Sequence, residues 1–292
     1  MDEGQRKVRV IIGALITVFL WSSSYSAVRF VLNYYTPESL LVLRFSMASL
    51  TMAIIALVKK VRLPAKADLP MFALAGLLGF FIYHWLFNRG TSMVIVGVAS
   101  FLIAASPVFT TLLSIFLLKE KVNFFAWLGI LVSFGGIGFI SLSQVTDFEL
   151  NFGIVFLIAA CVCTSLYFIV QRHLLKTYSF IEATAYPIFF GTAMMWIFFM
   201  PRFLLDVLYA PIEVNLVGAY LGVFPAAIAY LSWGYTLSQA KKTTEATIYL
   251  YLIPFFASLI AYFWLGEVLT PLIVFGGSLV ISGMFITNKW GR

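Results

Sequence analysis

The sequence predicts an all-α polytopic membrane protein whose ten transmembrane helices form two inverted five-helix repeats, with both termini in the cytoplasm. Three observations predict this fold: the apolar composition, an internal repeat, and the distribution of lysine and arginine. Of the 292 residues, 62% are hydrophobic and only 11% are charged, and the mean hydropathy is +1.00. Soluble domains carry about 25% charged residues, so the composition excludes an ordinary soluble protein. The net charge of +7 is typical of basic cytoplasmic loops and does not indicate a nucleic-acid partner.

Ten segments are apolar and close to the roughly 20 residues that a helix needs to cross a bilayer. The first follows basic residues but has no small-residue cleavage site after it, so we expect an uncleaved helix and not a signal peptide. The second and tenth begin with the first-turn prolines Pro37 and Pro271. The seventh begins with a capping box from Ser179 to Glu182. Hydropathy and length predict the others, and the ten helices are residues 10–32, 37–58, 68–88, 93–118, 123–143, 151–171, 180–200, 214–237, 245–265 and 270–288.

An internal repeat divides the chain into residues 1–147 and 148–292. A shift of 147 positions places residues 99–140 over 246–287 without a gap. Lysines do not follow this repeat, because they flank the end of the fourth helix in one copy and precede the ninth helix in the other. Two related units with opposite charge asymmetry are inserted in opposite orientations, an arrangement common in secondary transporters. The matched pairs include Pro107 and Pro254, Glu120 and Glu267, Gly129 and Gly276, and Gly136 and Gly283.

The positive charges also predict the topology. With the N-terminus inside, 15 of the 19 lysines and arginines lie in cytoplasmic segments. Only Arg29, Arg89 and Arg202 lie on the other side, and Arg44 lies within the second helix. Because lysine and arginine accumulate in cytoplasmic loops, we expect both termini in the cytoplasm and an even number of spans.

Several short motifs in their order resemble the drug/metabolite transporter superfamily, in its bacterial EamA-type branch with ten helices. They are Trp21 to Ser24, Pro37 with Arg44, Ala99 through Pro107 to Glu120, Tyr230 to Tyr235, and Ala246 through Pro254 to Glu267. The resemblance covers nearly the whole chain. It implies transport of small metabolites, often the export of amino acids or toxic compounds, through a central cavity lined by both halves. It also implies peripheral fifth and tenth helices that brace each half.

The residues predicted to line a substrate cavity form three groups. In the fourth and ninth helices, small and hydroxyl residues share a face with a proline, which favours either a cavity with gating hinges or simple close packing. In the first, third and eighth helices, polar aromatic residues favour a cavity or a membrane interface. Arg44 stands alone in the second helix. The predicted cavity residues are Trp21, Ser24, Arg44, Tyr83, His84, Asn88, Ser100, Pro107, Thr111, Tyr230, Trp233, Thr247, Tyr251, Pro254 and Ser258.

Four ionisable residues have alternative roles. Arg44 either extends towards the outer surface or stays inside, where it binds a carboxylate or stabilises a gate, since a charge within a membrane needs a partner or water. His84 is a candidate for proton coupling or a structural histidine. Glu120 and Glu267 follow the C-terminal ends of their helices, where the helix dipole disfavours negative charge. We expect both to accept backbone hydrogen bonds from the next helix, with gating as the alternative.

The sequence predicts a secondary transporter of small organic metabolites, either amino acids or amphipathic and aromatic compounds, that works by alternating access with efflux as the preferred direction. An uptake or exchange carrier is the first alternative and a membrane-embedded enzyme the distant one. Catalytic, metal-binding and nucleotide-binding motifs are absent from the sequence, so no catalytic residue, metal or cofactor is predicted. The expected partners are a small solute, the lipid bilayer and protons as a candidate coupling ion. The expected setting is the bacterial inner membrane, as a monomer or homodimer.

Overall fold

The computed structural model describes residues 3–118, 123–142, 151–239 and 248–290. Within these ranges the regular elements are all helical and form ten successive helices, as predicted. We label them α1 (Glu3–Val31), α2 (Pro37–Val58), α3 (Lys66–Asp68, Leu69–Gly76, Leu77–Ile82 and Tyr83–Met93), α4 (Val96–Ala104 and Ser106–Leu118), α5 (Phe124–Leu142), α6 (Phe152–Leu174), α7 (Glu182–Tyr209), α8 (Ile212–Val223, Phe224–Ile228 and Ala229–Gln239), α9 (Ile248–Leu252 and Ile253–Leu265) and α10 (Pro271–Trp290).

The helices have the lengths and surfaces of membrane spans. α1, α2 and α3 and their repeat counterparts α6, α7 and α8 are long and apolar enough to cross a membrane. The apolar helices of α4, α5, α9 and α10 are shorter. Many large hydrophobic side chains stay exposed, among them Phe124 at 72%, Ile197 at 75% and Phe263 at 78%. Such continuous apolar surface is unfavourable in water and suits contact with lipid, so the chain is a multi-pass membrane protein.

Local hydrogen bonds confirm the helix starts predicted from sequence. The Ser179 backbone N–H donates to Glu182 Oε2 at 2.7 Å, and the Glu182 N–H donates back to Ser179 Oγ at 3.3 Å, which completes the capping box. Thr36 Oγ1 accepts from the Ser39 N–H at the start of α2. Thr270 Oγ1 accepts from the Ile273 N–H at the start of α10.

Three helices depart from regular α geometry. α3 contains a π-helical turn at Leu77–Ile82, and α8 contains one at Phe224–Ile228, so the two turns begin 147 positions apart. α4 is interrupted at Ala105, between its two α-helical parts. Pro107 lies two residues after Ala105 and has no N–H for a helical hydrogen bond. The predicted boundary between the third and fourth helices, at residues 88 and 93, was wrong, because α3 continues to Met93 and α4 begins at Val96.

The fifth helix of each repeat packs against the other along a glycine seam. A Cβ atom on Gly129 would lie 2.4 Å from the Gly283 carbonyl oxygen, and one on Gly136 would lie 2.5 Å from the Gly276 carbonyl oxygen. The two glycines of each helix stand seven residues apart, two turns along one face, and these contacts show that they let the helices pack closely. The pairing also shows that α5 and α10 are antiparallel. The expectation that each braces its own half was wrong, because the seam joins the two repeats to each other.

Candidate functional site

A cavity of about 100 Å³ lies between the two repeats. Eight of the ten helices contribute side chains to it, and α5 and α7 do not. Most of the lining is aromatic or aliphatic, with a few polar groups, which is the usual composition of a small-molecule site. The lining residues are Trp21, Ser24, Tyr25, Arg44, Tyr83, His84, Phe87, Ile103, Ala104, Ser106, Thr164, Phe168, Tyr230, Leu250, Ile253 and Met284.

Half of the cavity wall consists of residues that the internal repeat relates to each other. The shift of 147 positions found in the sequence also relates four pairs of lining residues, one member from each repeat. The cavity therefore lies where equivalent surfaces of the two repeats meet. The four pairs are Trp21 with Phe168, Tyr83 with Tyr230, Ile103 with Leu250, and Ser106 with Ile253.

The two π-helical turns position the central tyrosines. The turn in α3 ends immediately before Tyr83, and the turn in α8 ends two residues before Tyr230. A π turn shifts the side chains that follow it and leaves backbone groups in need of partners. In α8 the Pro225 carbonyl accepts a hydrogen bond from Trp21 Nε1 at 3.2 Å. The Trp21 ring then meets the Tyr230 ring edge-on, with 5.1 Å between centroids, so α1 and α8 are joined beside the cavity.

Arg44 is the one charged residue in the cavity lining, and it is 2% exposed. Its Nε and Nη1 atoms are buried without a hydrogen-bond partner. The groups that act on it electrostatically are the phenols of Tyr25, Tyr83 and Tyr230. Its backbone carbonyl lies 2.3 Å from the position of a Cβ on Gly222, so the glycine lets α8 approach α2 at this point. The guanidinium does not reach the protein surface, and the interpretation that it extends outwards was wrong.

His84 lies beside Arg44 in the same wall and is also 2% exposed. Its Nδ1 atom is buried without a hydrogen-bond partner. The imidazole packs edge-on against Phe45 at 4.7 Å and Tyr83 at 4.5 Å between centroids. Ser24 lines the cavity while its hydroxyl donates to the Trp21 carbonyl at 2.7 Å. The polar groups thus come mainly from the first repeat.

Other predicted cavity residues lie elsewhere. The Asn88 amide donates to the Pro37 carbonyl at 3.1 Å, and the Ser100 hydroxyl donates to the Gly97 carbonyl at 2.8 Å. The Trp233 ring packs at a tilt against Trp21, with 5.8 Å between centroids. Pro254 is buried outside the lining. The Ser258 hydroxyl is buried without a partner and is not part of the lining. Thr247 and the side chains of Pro107, Thr111 and Tyr251 lie outside the described residues.

Sequence reasoning missed several lining residues, among them Tyr25, Phe87, Thr164 and Phe168. Tyr25 and Phe87 contact each other edge-on at 5.2 Å between centroids. The internal repeat held a signal for Phe168, since this residue is the counterpart of Trp21. Tyr25 and Thr164 had no such signal, because their counterparts Arg172 and Thr17 lie outside the lining.

Glu267 connects the two repeats at one end of the cavity helices. Its Oε2 atom accepts a hydrogen bond from the Val96 backbone N–H at 2.7 Å, at the first residue of α4. The expected backbone partner is therefore present, but it belongs to the fourth helix of the opposite repeat and not to the next helix. Burial raises the pKa of Glu267, against the opposing effects of the Val96 bond and the Arg29 charge. Glu120, its repeat counterpart, lies outside the described residues.

Metal chemistry has no support from side-chain clustering. Across the described ranges, no group of three or more His, Cys, Asp or Glu side chains could hold a metal ion. Cys161 and Cys163 are both free thiols. The cavity lining contains no carboxylate side chain.

Comparison with known proteins places this architecture in a family. The model of the EamA-like transporter family matches residues 8–142 and again residues 151–289. The chain belongs to the EamA-like transporter family. Membership confirms the resemblance to the drug/metabolite transporter superfamily and makes the protein a transporter. The two matched ranges correspond to α1–α5 and α6–α10.

Similar proteins come from bacteria and archaea. The chain is 34% identical to the "Uncharacterized transporter YdfC" of Bacillus subtilis (strain 168), over 97% of this chain and 92% of the relative. It is also 34% identical to the "Probable terminal-alkyne amino-acid exporter" of Streptantibioticus cattleyicolor, over 94% of this chain and 92% of the relative. One solved structure, titled only "Crystal structure of protein", shares the fold with a TM-score of 0.67 at 18% identity and covers 98% of both chains.

Proposed function

We propose that this EamA-like transporter exports small organic metabolites across a bacterial inner membrane by alternating access. The observation that carries the proposal is the cavity between the repeats, half of whose lining consists of residue pairs related by the internal repeat. A site between two inverted repeats is accessible to either side in turn when one repeat moves against the other. We place both termini in the cytoplasm because of the positive charges counted above.

The cavity favours small solutes of amphipathic character. Its volume of about 100 Å³ is below the ~300–1,000 Å³ of sites that hold drug-sized ligands. Rings of Trp21, Tyr83 and Tyr230 provide apolar contact area, and the two tyrosines add hydroxyl groups. Amino acids combine this size with an apolar part and polar ends. One relative at 34% identity is named as an amino-acid exporter, which also favours amino acids and the outward direction.

Proton coupling through His84 is part of the proposal. Protonation of an imidazole in the substrate cavity would alter the electrostatic environment of a bound solute. An uptake or exchange carrier of the same fold is the alternative within transport. A membrane-embedded enzyme is the alternative outside it.

Counterflow in proteoliposomes tests the proposed function. Purified protein is reconstituted into liposomes preloaded with one unlabelled solute at a time, from a panel of amino acids, nucleosides and organic cations. We expect uptake of the same labelled solute for at least one panel member, with a pH dependence that His84→Gln abolishes. Protein-free liposomes are the control. Chemical conversion of a solute without counterflow of any solute would contradict the proposal and favour the enzyme.

A further inference from the structure

We infer that the transported solute carries a carboxylate, and that Arg44 binds this group. The inference rests on the proposed transport function and names the substrate class of the same cavity. It starts from a guanidinium that is 2% exposed and lies in the cavity wall. Two of its three nitrogens are buried without a hydrogen-bond partner.

A buried cation without an anion is energetically unfavourable, because burial removes its hydration. The Phe45 ring, whose centroid lies 5.7 Å from Arg44 Cζ, provides a cation–π contact but no negative charge. Among the described residues, the cavity lining contains no Asp or Glu, and neither of the ion pairs involves Arg44. Its neighbours in the cavity wall include the phenols of Tyr25, Tyr83 and Tyr230, which carry no charge near neutral pH. The missing anion is therefore supplied by the ligand.

A carboxylate fits this environment better than other anions of metabolites. The guanidinium is planar and matches the two oxygens of a carboxylate. Phenol hydroxyls around it can donate to carboxylate oxygens as well. A phosphate is larger and carries more charge, whereas the cavity holds about 100 Å³ and supplies one permanent positive charge. Organic cations are disfavoured, because Arg44 would repel them without a compensating acid in the lining.

The apolar part of the solute then lies against the aromatic wall. Trp21 and Tyr230 form one edge-on pair across the repeats, and Tyr25 and Phe87 form another within the first repeat. A monocarboxylate with a compact apolar side chain, such as a small aliphatic amino acid, satisfies both the cation and the rings. This orientation makes the carboxylate the group whose removal has the largest effect on binding.

A ligand series on the wild-type transporter tests the inference without any variant. The probes are L-valine, N-acetyl-L-valine and L-valinamide, each in proteoliposome counterflow. L-valine and N-acetyl-L-valine keep the carboxylate and should exchange. L-valinamide lacks it and should exchange at least about tenfold more slowly, the loss expected when a charge-assisted hydrogen bond is removed. Equal exchange of L-valine and L-valinamide would overturn the inference.

Variants of Arg44 provide the second measurement. Arg44→Gln should abolish L-valine counterflow, and Arg44→Lys should restore it only in part, because lysine lacks the planar fork. Arg202→Gln is the matched control, since Arg202 is 60% exposed and pairs with Asp206 away from the cavity. Normal exchange by Arg44→Gln would overturn the inference. Should Arg44→Gln fail to fold, the ligand series decides.

The outcomes separate this inference from the proposed function. Exchange of nucleosides or organic cations, without exchange of any carboxylate, would leave transport standing and overturn the role of Arg44. Exchange of no solute in the panel would contradict the transport proposal itself, and the inference with it.

Discussion

Glu267 shows how a single carboxylate can connect two repeats. The side chain lies in the corner between α9 and α10 and receives the backbone N–H of Val96 from α4. Arg29 supplies the positive charge that acts on it, while Arg29 itself donates to the carbonyls of Thr91 and Ser92 at the end of α3. Five helices from both repeats thus meet within a few residues.

This contact should weaken as pH rises. Burial raises the pKa of Glu267, so the contact favours the protonated form and opening favours the carboxylate. The contact is therefore most stable below the ordinary glutamate pKa of about 4.3 and loses stability as pH rises through the raised value. We expect Glu267→Gln, which keeps an acceptor oxygen without titrating, to remove this dependence.

Hydrogen–deuterium exchange of the peptide that contains Val96 measures the effect. Dividing the wild-type rate by the Glu267→Gln rate at each pH cancels the chemical pH dependence of exchange. The ratio should increase from pH 4 to pH 8, whereas the same ratio for a peptide from α6 should stay constant. A flat ratio at Val96 would show that Glu267 does not titrate with opening.

Among single residues, the sequence indicated those whose type is unusual for their position in a membrane helix. Arg44 is a charge within an apolar span and Glu267 is an acid at the wrong end of a helix, and each has the unusual environment that its pattern indicated. Tyr25 and Thr164 are not unusual in this sense. In α1 and α6 the hydroxyl residues near them are spread over several faces of the helix, so periodicity does not indicate which face meets a cavity.

At the scale of whole helices, the close packing of the antiparallel pair α5 and α10 depends on glycine. Gly136 lies against the Gly276 carbonyl, whereas a Cβ on Gly138, two residues along the same helix, would meet nothing within 4 Å. Alanine favours helix formation over glycine by about 1 kcal/mol. The effect of adding a methyl group therefore has opposite signs at the two positions.

We expect Gly136→Ala to lower the stability of the protein by about 1–3 kcal/mol, the usual cost of an overpacked contact. Gly138→Ala should leave stability unchanged or increase it slightly. Thermal unfolding in detergent, followed by circular dichroism, compares the two variants with the wild type. Equal effects of the two substitutions would mean that the close contact of α5 with α10 at Gly136 does not contribute to stability.

Helix starts and packing glycines were predictable because each depends on a few neighbouring residues. The capping box at Ser179 and the first-turn proline Pro37 stand at their expected places. The π turns before Tyr83 and Tyr230 were not predicted, because the sequence around them is as apolar as that of a regular helix. The turn in α8 contains Pro225, which has no N–H for a helical hydrogen bond and whose carbonyl accepts a bond from Trp21. The turn in α3 contains no proline.

The proposed orientation of the whole molecule in the membrane rests on its positive charges and can be measured directly. Single cysteines at Tyr34 and Lys59, introduced after replacement of Cys161 and Cys163, mark the two ends of α2. An impermeant maleimide added to intact cells should label Tyr34→Cys and not Lys59→Cys. Permeabilised cells are the control, where both should react. Labelling of Lys59→Cys in intact cells would reverse the proposed topology.

The repeat was visible in the sequence, and it accounts for the position of the cavity as well as for the ten helices. Its counterpart residues Tyr83 and Tyr230 were both predicted as lining residues. The break in α4 was not, because Pro107 is compatible with a kinked continuous helix and only tertiary packing decides between a kink and an interruption.

The cavity has a symmetric frame but an asymmetric charge. Arg44 and His84 belong to the first repeat, and the positions that correspond to them in the second repeat are Gly191 and Leu231. Under alternating access the two repeats exchange conformations, so a wall made only of matched pairs would present the same surface to either compartment. The unmatched cation moves with one repeat alone. We therefore expect the half-saturation concentrations measured from the two sides of the membrane to differ, whereas the equilibrium distribution of the solute does not depend on this kinetic difference.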